Sequence, residues 1–371
     1  MAKIRVLVVD DAVVVRRIVT EVLSSDPDIE VVGTAANGRL ALQKLAGLQP
    51  DLVTLDIEMP ELDGLGTLVE LRKSHPRLPV IMFSTLTERG ASATLEALAR
   101  GASDYVTKPA NVGSVTLAQE RVREDLVPKI KALCGRVVLA PRPAPAAPRA
   151  PAPPVVAPRP ALPQRVDLLA IGVSTGGPNA LAAIIPALPA DFPLPVVIVQ
   201  HMPPVFTRFL AERLASTSRL AVREGEEGGV VEPGVVWVAP GSSHMVLTRE
   251  GEALRLRLTQ DPPENSCRPA VDPLFRSAAA LVGSRTLALV LTGMGQDGLR
   301  GAEEIRKAGG VVLAQDEASS VVWGMPGAVV GAGLADTVLP LERLAAELTQ
   351  RAGVGRLARI GGGPAAAVSA R

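Results

Sequence analysis

Aromatic residues make up only 2 % of this 371-residue sequence, cysteines number two and histidines three. The 47 % hydrophobic content is enough to fill two cores, but with so few rings these must be packed with Val, Leu, Ile and Ala. Two cysteines, Cys134 and Cys267, cannot build a disulfide framework and fit a reducing compartment. Lys+Arg total 39 against 38 Asp+Glu, so no basic excess points to nucleic acid. No apolar run is long enough to span a bilayer, and membrane insertion is not expected. The apolar run Ile4–Val9 is short and ends in acids, as a buried strand does and a signal segment does not. A cytoplasmic location is expected.

Proline, by contrast, is concentrated. Residues 141–163 hold ten prolines in twenty-three positions, which excludes helix and sheet and predicts an extended spacer. The chain accordingly divides into a first domain (1–135), a Pro/Ala-rich linker (136–164), a second domain (165–352) and a tail (353–371) whose GGGPAAA stretch reads as disordered. In both domains short β-branched runs alternate with helical patterns. The expected strands are 4–9, 29–35, 52–56, 80–84 and 104–107, then 168–173, 196–200, 235–238, 287–292 and 311–314. Near-continuous apolar strands separated by helices predict two doubly wound parallel-sheet α/β domains. The alternation Arg255-Leu256-Arg257-Leu258 within 235–260 predicts a local antiparallel hairpin.

In an open parallel sheet, functional groups collect beyond the carboxyl ends of the strands. In the first domain Asp10 and Asp11 end one strand and Asp56 another, and three converging carboxylates favour a hard cation such as Mg²⁺. Ser84, Thr85 and Lys108 end two further strands and supply the hydroxyl and ammonium groups that hold phosphoryl oxygens. Together with LDIEMPELDG and GASDYVTKP, this arrangement resembles the response-regulator receiver domain over residues 4–122. The resemblance implies Asp56 as phosphoacceptor, Asp10, Asp11 and Asp56 as Mg²⁺ ligands and Lys108 as phosphate contact. It also implies Tyr105 as switch aromatic and a cis Lys108–Pro109 bond; for Tyr105, a buried edge-strand aromatic is an equally good reading.

The second domain offers LLAIGVSTGG, a buried strand running into Gly172-Val-Ser174-Thr-Gly176. A serine on a tight strand-to-helix turn is the nucleophile-elbow pattern, although glycine-rich turns of this kind also hold phosphates. Of the three histidines, His75 lies in a turn of the first domain. His201 directly follows the strand PVVIVQ, on the same sheet edge as Ser174, and His244 follows the 235–238 strand. Asp297, just past the 287–292 strand in a loop with three glycines, is the candidate to orient the imidazole. Cys267, in NSCRP, has no histidine near it in sequence and reads as a free buried thiol.

The chain order Ser174, His201, Asp297 differs from that of α/β-hydrolases. With IGVSTGGP, VIVQHMPP, VAPGSSHM, RPAVDPLF, LTGMGQDG and AQDEASSVVWGMP it resembles the catalytic domain of chemotaxis-type protein-glutamate methylesterases. Ala270 stands where that pattern has serine. The resemblance implies attack of Ser174 on a receptor glutamate γ-methyl ester, His201 as base, Asp297 as its orienter and the Met294 N–H in the oxyanion hole. Methanol leaves, and receptor glutamines would be deamidated by the same chemistry; no cofactor is expected for the ester cleavage. Expected partners are a chemotaxis histidine kinase and methylated chemoreceptors, with the chain itself a monomer. The unphosphorylated receiver is expected to cover the Ser174 cleft. Three rival readings are weaker. A phosphorylation-controlled adaptor has no need of serine, histidine and aspartate together. A phosphate-binding loop would need a Lys-Ser/Thr that does not follow, and a DNA-binding output would need a basic recognition stretch.

Overall fold

The computed structural model describes residues 2–108, 114–135 and 164–356, so Pro109, the proline-rich segment and the chain after Arg356 lie outside the described residues. The first domain has strands β1 (Ile4–Val9), β2 (Ile29–Ala35), β3 (Leu52–Asp56), β4 (Val80–Ser84) and β5 (Asp104–Thr107). They alternate with helices α1 (Val13–Ser24), α2 (Gly38–Leu48), α3 (Gly64–Ser74), α4 (Glu88–Ala99) and α5 (Val115–Leu133). The sheet is parallel in the order β2-β1-β3-β4-β5. Four of its helices start at side-chain caps: Asn37, Asp63 and Thr87 accept from the backbone N–H three residues on, and Ser114 from the one two residues on. The chain reverses direction across the sheet between β1 and β3, which brings Asp10 and Asp56 together at the carboxyl edge.

The second domain holds strands β6 (Leu168–Val173), β7 (Val196–Gln200), β8 (Ala221–Glu224), β9 (Val235–Val238), β10 (His244–Glu250), β11 (Ala253–Thr259), β12 (Thr286–Val290), β13 (Val311–Gln315) and β14 (Thr337–Leu339). Its helices are α6 (Gly177–Ile184), α7 (Phe206–Thr217), α8 (Val271–Val282), α9 (Leu299–Lys307), α10 (Met325–Gly331) and α11 (Leu341–Gly353). Seven strands form one parallel sheet in the order β14-β13-β12-β6-β7-β9-β8, and β10 and β11 form the antiparallel hairpin. The edge strands β8 and β14 were not anticipated. Each is only three or four residues long and half exposed, so neither leaves a continuous apolar run in the sequence. The strand expected at 287–292 spans Thr286–Val290 instead, because the Thr292 N–H turns to the buried Gln315 Oε1 at 2.9 Å. Arg356 closes the described chain by donating to Val166 O at 2.7 Å and Asp167 Oδ1 at 3.0 Å. Apolar packing runs without a break from the first domain into the second: Ala91, Leu95 and Tyr105 share a buried cluster with Ala180, Leu181 and Phe206.

Candidate active site

At the edge of the first sheet Asp10, Asp11 and Asp56 bring carboxylate oxygens within 4.8 Å of one another. Lys108 Nζ lies 3.0 Å from Asp10 Oδ2 and 2.7 Å from Asp56 Oδ2, and these buried oxygens have no other donor among the described residues. Burial and the Asp10 charge push Asp56 up to about 6 despite Lys108. Burial likewise raises Asp10. Burial opposes the Lys108 charge, but Asp56 and Asp10 outweigh it and raise that pKa. Two buried acids that share one ammonium, with an exposed Asp11 beside them, leave oxygens for a divalent cation, so the donor set fits Mg²⁺. Ser84 Oγ donates to Gly90 O at 3.0 Å, while Thr85 Oγ1 faces outward beside Thr87 at 3.0 Å.

In the second domain the chain reverses across the sheet at β6, which lies between β12 and β7. Ser174 follows β6 and His201 follows β7. Val173 pairs with Gln200, and the His201 N–H donates to Val173 O at 3.2 Å, so the two side chains leave neighbouring strands in register. Gln200 Nε2 ties both backbones, donating to Ser174 O at 3.0 Å and His201 O at 3.1 Å. The turn at Ser174 is tight. Gly176 sits at φ 78, and Gly177 N–H donates to Ser174 O at 2.8 Å as α6 begins. From the β12 side, Thr292 O accepts the Ser174 N–H at 3.0 Å, and a Cβ on Gly293 would lie 2.8 Å from Ser174 Cβ. The Met294 N–H follows directly and has no acceptor among the described residues.

His201 Nε2 and Asp297 Oδ2 are 2.7 Å apart. Asp297 also accepts from Val271 N (2.6 Å), Asp272 N (3.1 Å), Gly298 N (2.9 Å) and Asn265 Nδ2 (2.9 Å). Burial opposes its charge, but His201 and the Val271 and Asp272 N–H groups hold its pKa below the ordinary carboxylate value. For His201, burial opposes the charge as well, yet Asp297 and the Cys267 thiol raise it to about 10. The geometry here differs from the sequence expectation for Cys267. Cys267 is half-buried and near enough to His201 to raise its pKa, whereas no hydrogen bond joins Ser174 to His201 among the described residues. Sixty-six residues separate Cys267 from His201 in the chain, and only the return of the 260–270 loop over the site joins them. His244, which follows the 235–238 strand in the sequence, is buried and spoken for. Nδ1 accepts the Ala270 N–H at 3.1 Å and Nε2 donates to Pro262 O at 3.1 Å, bracing both ends of that loop. Arg268 donates outward, to Gln260 O and Asp261 O at 3.1 Å.

The receiver packs beside this site. Thr175, next to the candidate nucleophile, donates from Oγ1 to Asp104 Oδ2 of β5 at 3.0 Å. Asp104 also accepts from Tyr105 N at 2.8 Å and faces Lys129 Nζ at 3.1 Å. The Tyr105 ring stacks on Phe206 of α7, with centroids 5.1 Å and planes 9° apart. Burial, with Asp104 and Asp125 nearby, pushes the Tyr105 phenol well above its ordinary pKa. Asn179 Nδ2 donates to Leu98 O at 2.9 Å, and Arg208 pairs with Glu88 at the rim. Neither Asp104 nor Thr175 carried a sequence signal, since the pair exists only between domains. No helix among the described residues is long and apolar enough to cross a membrane.

A CheB methylesterase family model matches residues 169–348, and a response regulator receiver domain model matches 6–119. The chain is 53 % identical over 353 residues to a protein-glutamate methylesterase/protein-glutamine glutaminase of Trichodesmium erythraeum, covering 95 % of this chain and 100 % of that one. It is 58 % identical over 353 residues to a protein of the same description from a Nocardioides species, covering 95 % and 96 %. It is also similar to the crystal structure of the Thermotoga maritima CheB methylesterase catalytic domain, at 45 % identity over 50 % of this chain and 99 % of that chain, with a TM-score of 0.49. With half or more of its residues identical to the first two relatives over nearly the full length of each, the chain belongs to the protein-glutamate methylesterase/protein-glutamine glutaminase family.

Proposed function

We propose that this chain is a phosphorylation-activated serine hydrolase that removes methyl groups from glutamate γ-esters of chemoreceptors and deamidates receptor glutamines. Ser174 Oγ attacks the γ-carbonyl carbon as His201 takes its proton. The resulting oxyanion is held by the Met294 N–H, with Asp297 orienting the imidazole. Collapse of this intermediate breaks the C–O bond, and His201 returns the proton to the departing methoxide as methanol. Water then attacks the acyl carbon as His201 takes its proton, the bond to Ser174 Oγ breaks, and His201 returns the proton to Oγ as the γ-carboxylate leaves. With a glutamine substrate, ammonia departs instead. The observation that carries this reading is the His201–Asp297 pair, one strand from Ser174 at the point where the sheet reverses direction.

The receiver occupies 1–135 and the esterase 165–352, joined by the 136–164 linker, with 353–371 as tail. Asp56 accepts phosphate from a histidine kinase. Asp10, Asp11 and Asp56 would hold Mg²⁺, which supplies charge neutralisation for phosphoryl transfer. Lys108, Ser84 and Thr85 contact the phosphoryl oxygens, and Tyr105 reports its arrival. The unphosphorylated receiver lies against Thr175 and Phe206, beside the cleft, and phosphorylation releases it. We place the protein in the cytoplasm, as a monomer.

The test is methanol release from methylated chemoreceptor membranes, by wild type and Ser174→Ala, with and without acetyl phosphate plus Mg²⁺. Release that rises with the phosphodonor and vanishes in the variant supports the reading. Release that persists in Ser174→Ala and disappears in Cys267→Ala would move the nucleophile to Cys267.

A further inference from the structure

We infer that Asn265 is a positioning residue for the esterase: its amide holds the carboxylate of Asp297 in the orientation that His201 requires, an inference that rests on the serine-hydrolase reading above. Residues 264–267 form a two-residue hairpin turn. Glu264 N donates to Cys267 O at 3.1 Å, Cys267 N donates to Glu264 O at 2.8 Å, and both central residues have positive φ, 50 at Asn265 and 63 at Ser266. This is the type I′ arrangement, which asparagine tolerates better than most residues. The turn sits at the middle of the loop that His244 braces at Pro262 and Ala270. Its two ends reach the two halves of the catalytic pair. Asn265 donates to Asp297, and Cys267 lies near enough to His201 to raise its pKa.

Asn265 Nδ2 donates to Asp297 Oδ1 at 2.9 Å and to Asp272 Oδ2 at 3.0 Å. Both neighbours are carboxylates, which only accept, so the orientation of the amide is fixed by chemistry. The two acids are nearly fully buried and side by side, and burial raises the pKa of Asp272, with the Asp297 charge adding to the effect. The Asn265 side chain lies on the solvent side of this pair, with its NH₂ between the two carboxylates. It therefore does two things that no other side chain at the site does. It separates two like charges, and it joins the Asp272 and Gly298 N–H groups on Oδ1 of Asp297, so that Oδ2 is presented to His201 Nε2. Asp272 is in turn fixed by the Gly301 N–H on its Oδ1 at 2.7 Å, so the amide links the catalytic acid to the start of α9.

The experiment uses the full-length protein, activated with acetyl phosphate and Mg²⁺, and measures kcat and KM for methanol release together with Tm. Asn265→Gly keeps the positive-φ turn and removes the amide. Asn265→Asp keeps the turn and replaces a donor by a third carboxylate. For Asn265→Gly, kcat is expected to fall about tenfold, as for loss of one hydrogen bond to a charged group, with KM and Tm little changed. Asn265→Asp is expected to fall further, because its charge meets Asp272 and Asp297. A kcat within twofold of wild type in either variant would overturn the inference. So would a fall matched by loss of folded protein, which would make Asn265 a turn residue only. Wild type and Ser174→Ala run alongside. If wild type releases no methanol, or Ser174→Ala equals it, the hydrolase reading fails, and if they behave as expected while Asn265→Gly is normal, only this inference does.

Discussion

Asp104→Asn should switch on the unphosphorylated enzyme. Asp104 uses both carboxylate oxygens, Oδ1 for the Tyr105 N–H at 2.8 Å and Oδ2 for Thr175 Oγ1 at 3.0 Å, with Lys129 Nζ at 3.1 Å. An asparagine of the same shape has one acceptor and one donor group. It cannot accept from Tyr105 and Thr175 together, and its NH₂ would confront the Lys129 ammonium. A hydrogen bond to a charged group is worth about 1.5–3 kcal/mol, so the docked arrangement should weaken by roughly ten- to hundredfold relative to the open one. The basal rate of methanol release should rise by up to that factor, capped at the fully phosphorylated rate. The assay compares wild type and variant with and without acetyl phosphate. A variant with wild-type basal activity that still responds normally to phosphodonor would refute the claim that the Asp104–Thr175 contact holds the receiver in place.

Other consequences can be measured separately. His201, at about 10 in the docked form, must lose its proton to act as base, so basal activity should climb with pH up to that value. Cys267→Ala should move the rise to lower pH, and an unchanged profile would show that the thiol does not tune the base. In stability, a His201 pKa raised above its unfolded value contributes fully below about 6.5 and loses its contribution as pH rises through about 10, which urea titrations at pH 7 and pH 10.5 would detect. Gly301→Ala would set a methyl 2.4 Å from Phe275 Cβ, and should cost about 1–3 kcal/mol in urea unfolding by forcing α9 from α8. Asp56→Asn, or chelation of Mg²⁺, should abolish stimulation by acetyl phosphate while leaving the basal rate.

How far this molecule can be read from its sequence depends on whether a residue's role is set locally. The receiver acids, Ser174, His201 and Asp297 all sit where an apolar strand gives way to polar residues, and a parallel sheet brings such ends to one edge. Their placement was therefore legible. The 262–270 loop was not, because Asn265 and Ser266 adopt positive φ without glycine and its contacts close over distances the sequence does not show. Cys267 could be dismissed only while His201 seemed remote. The outer strands escaped notice because Ala221–Glu224 and Thr337–Leu339 alternate exposure over too few residues to register a period. Docking between the domains is likewise a matter of surfaces: Thr175 reads as a turn residue and Asp104 as a strand start until they meet.

The aromatic poverty of the chain has one further use. Tyr105 is the only tyrosine in the protein, and it lies stacked on Phe206 where the receiver meets the esterase. Its near-ultraviolet band, or a fluorinated tyrosine introduced there, would thus report from this junction alone, with Trp237 and Trp323 the only indoles to subtract. The molecule carries its own optical label, on the ring whose movement would mark the change from restrained to active.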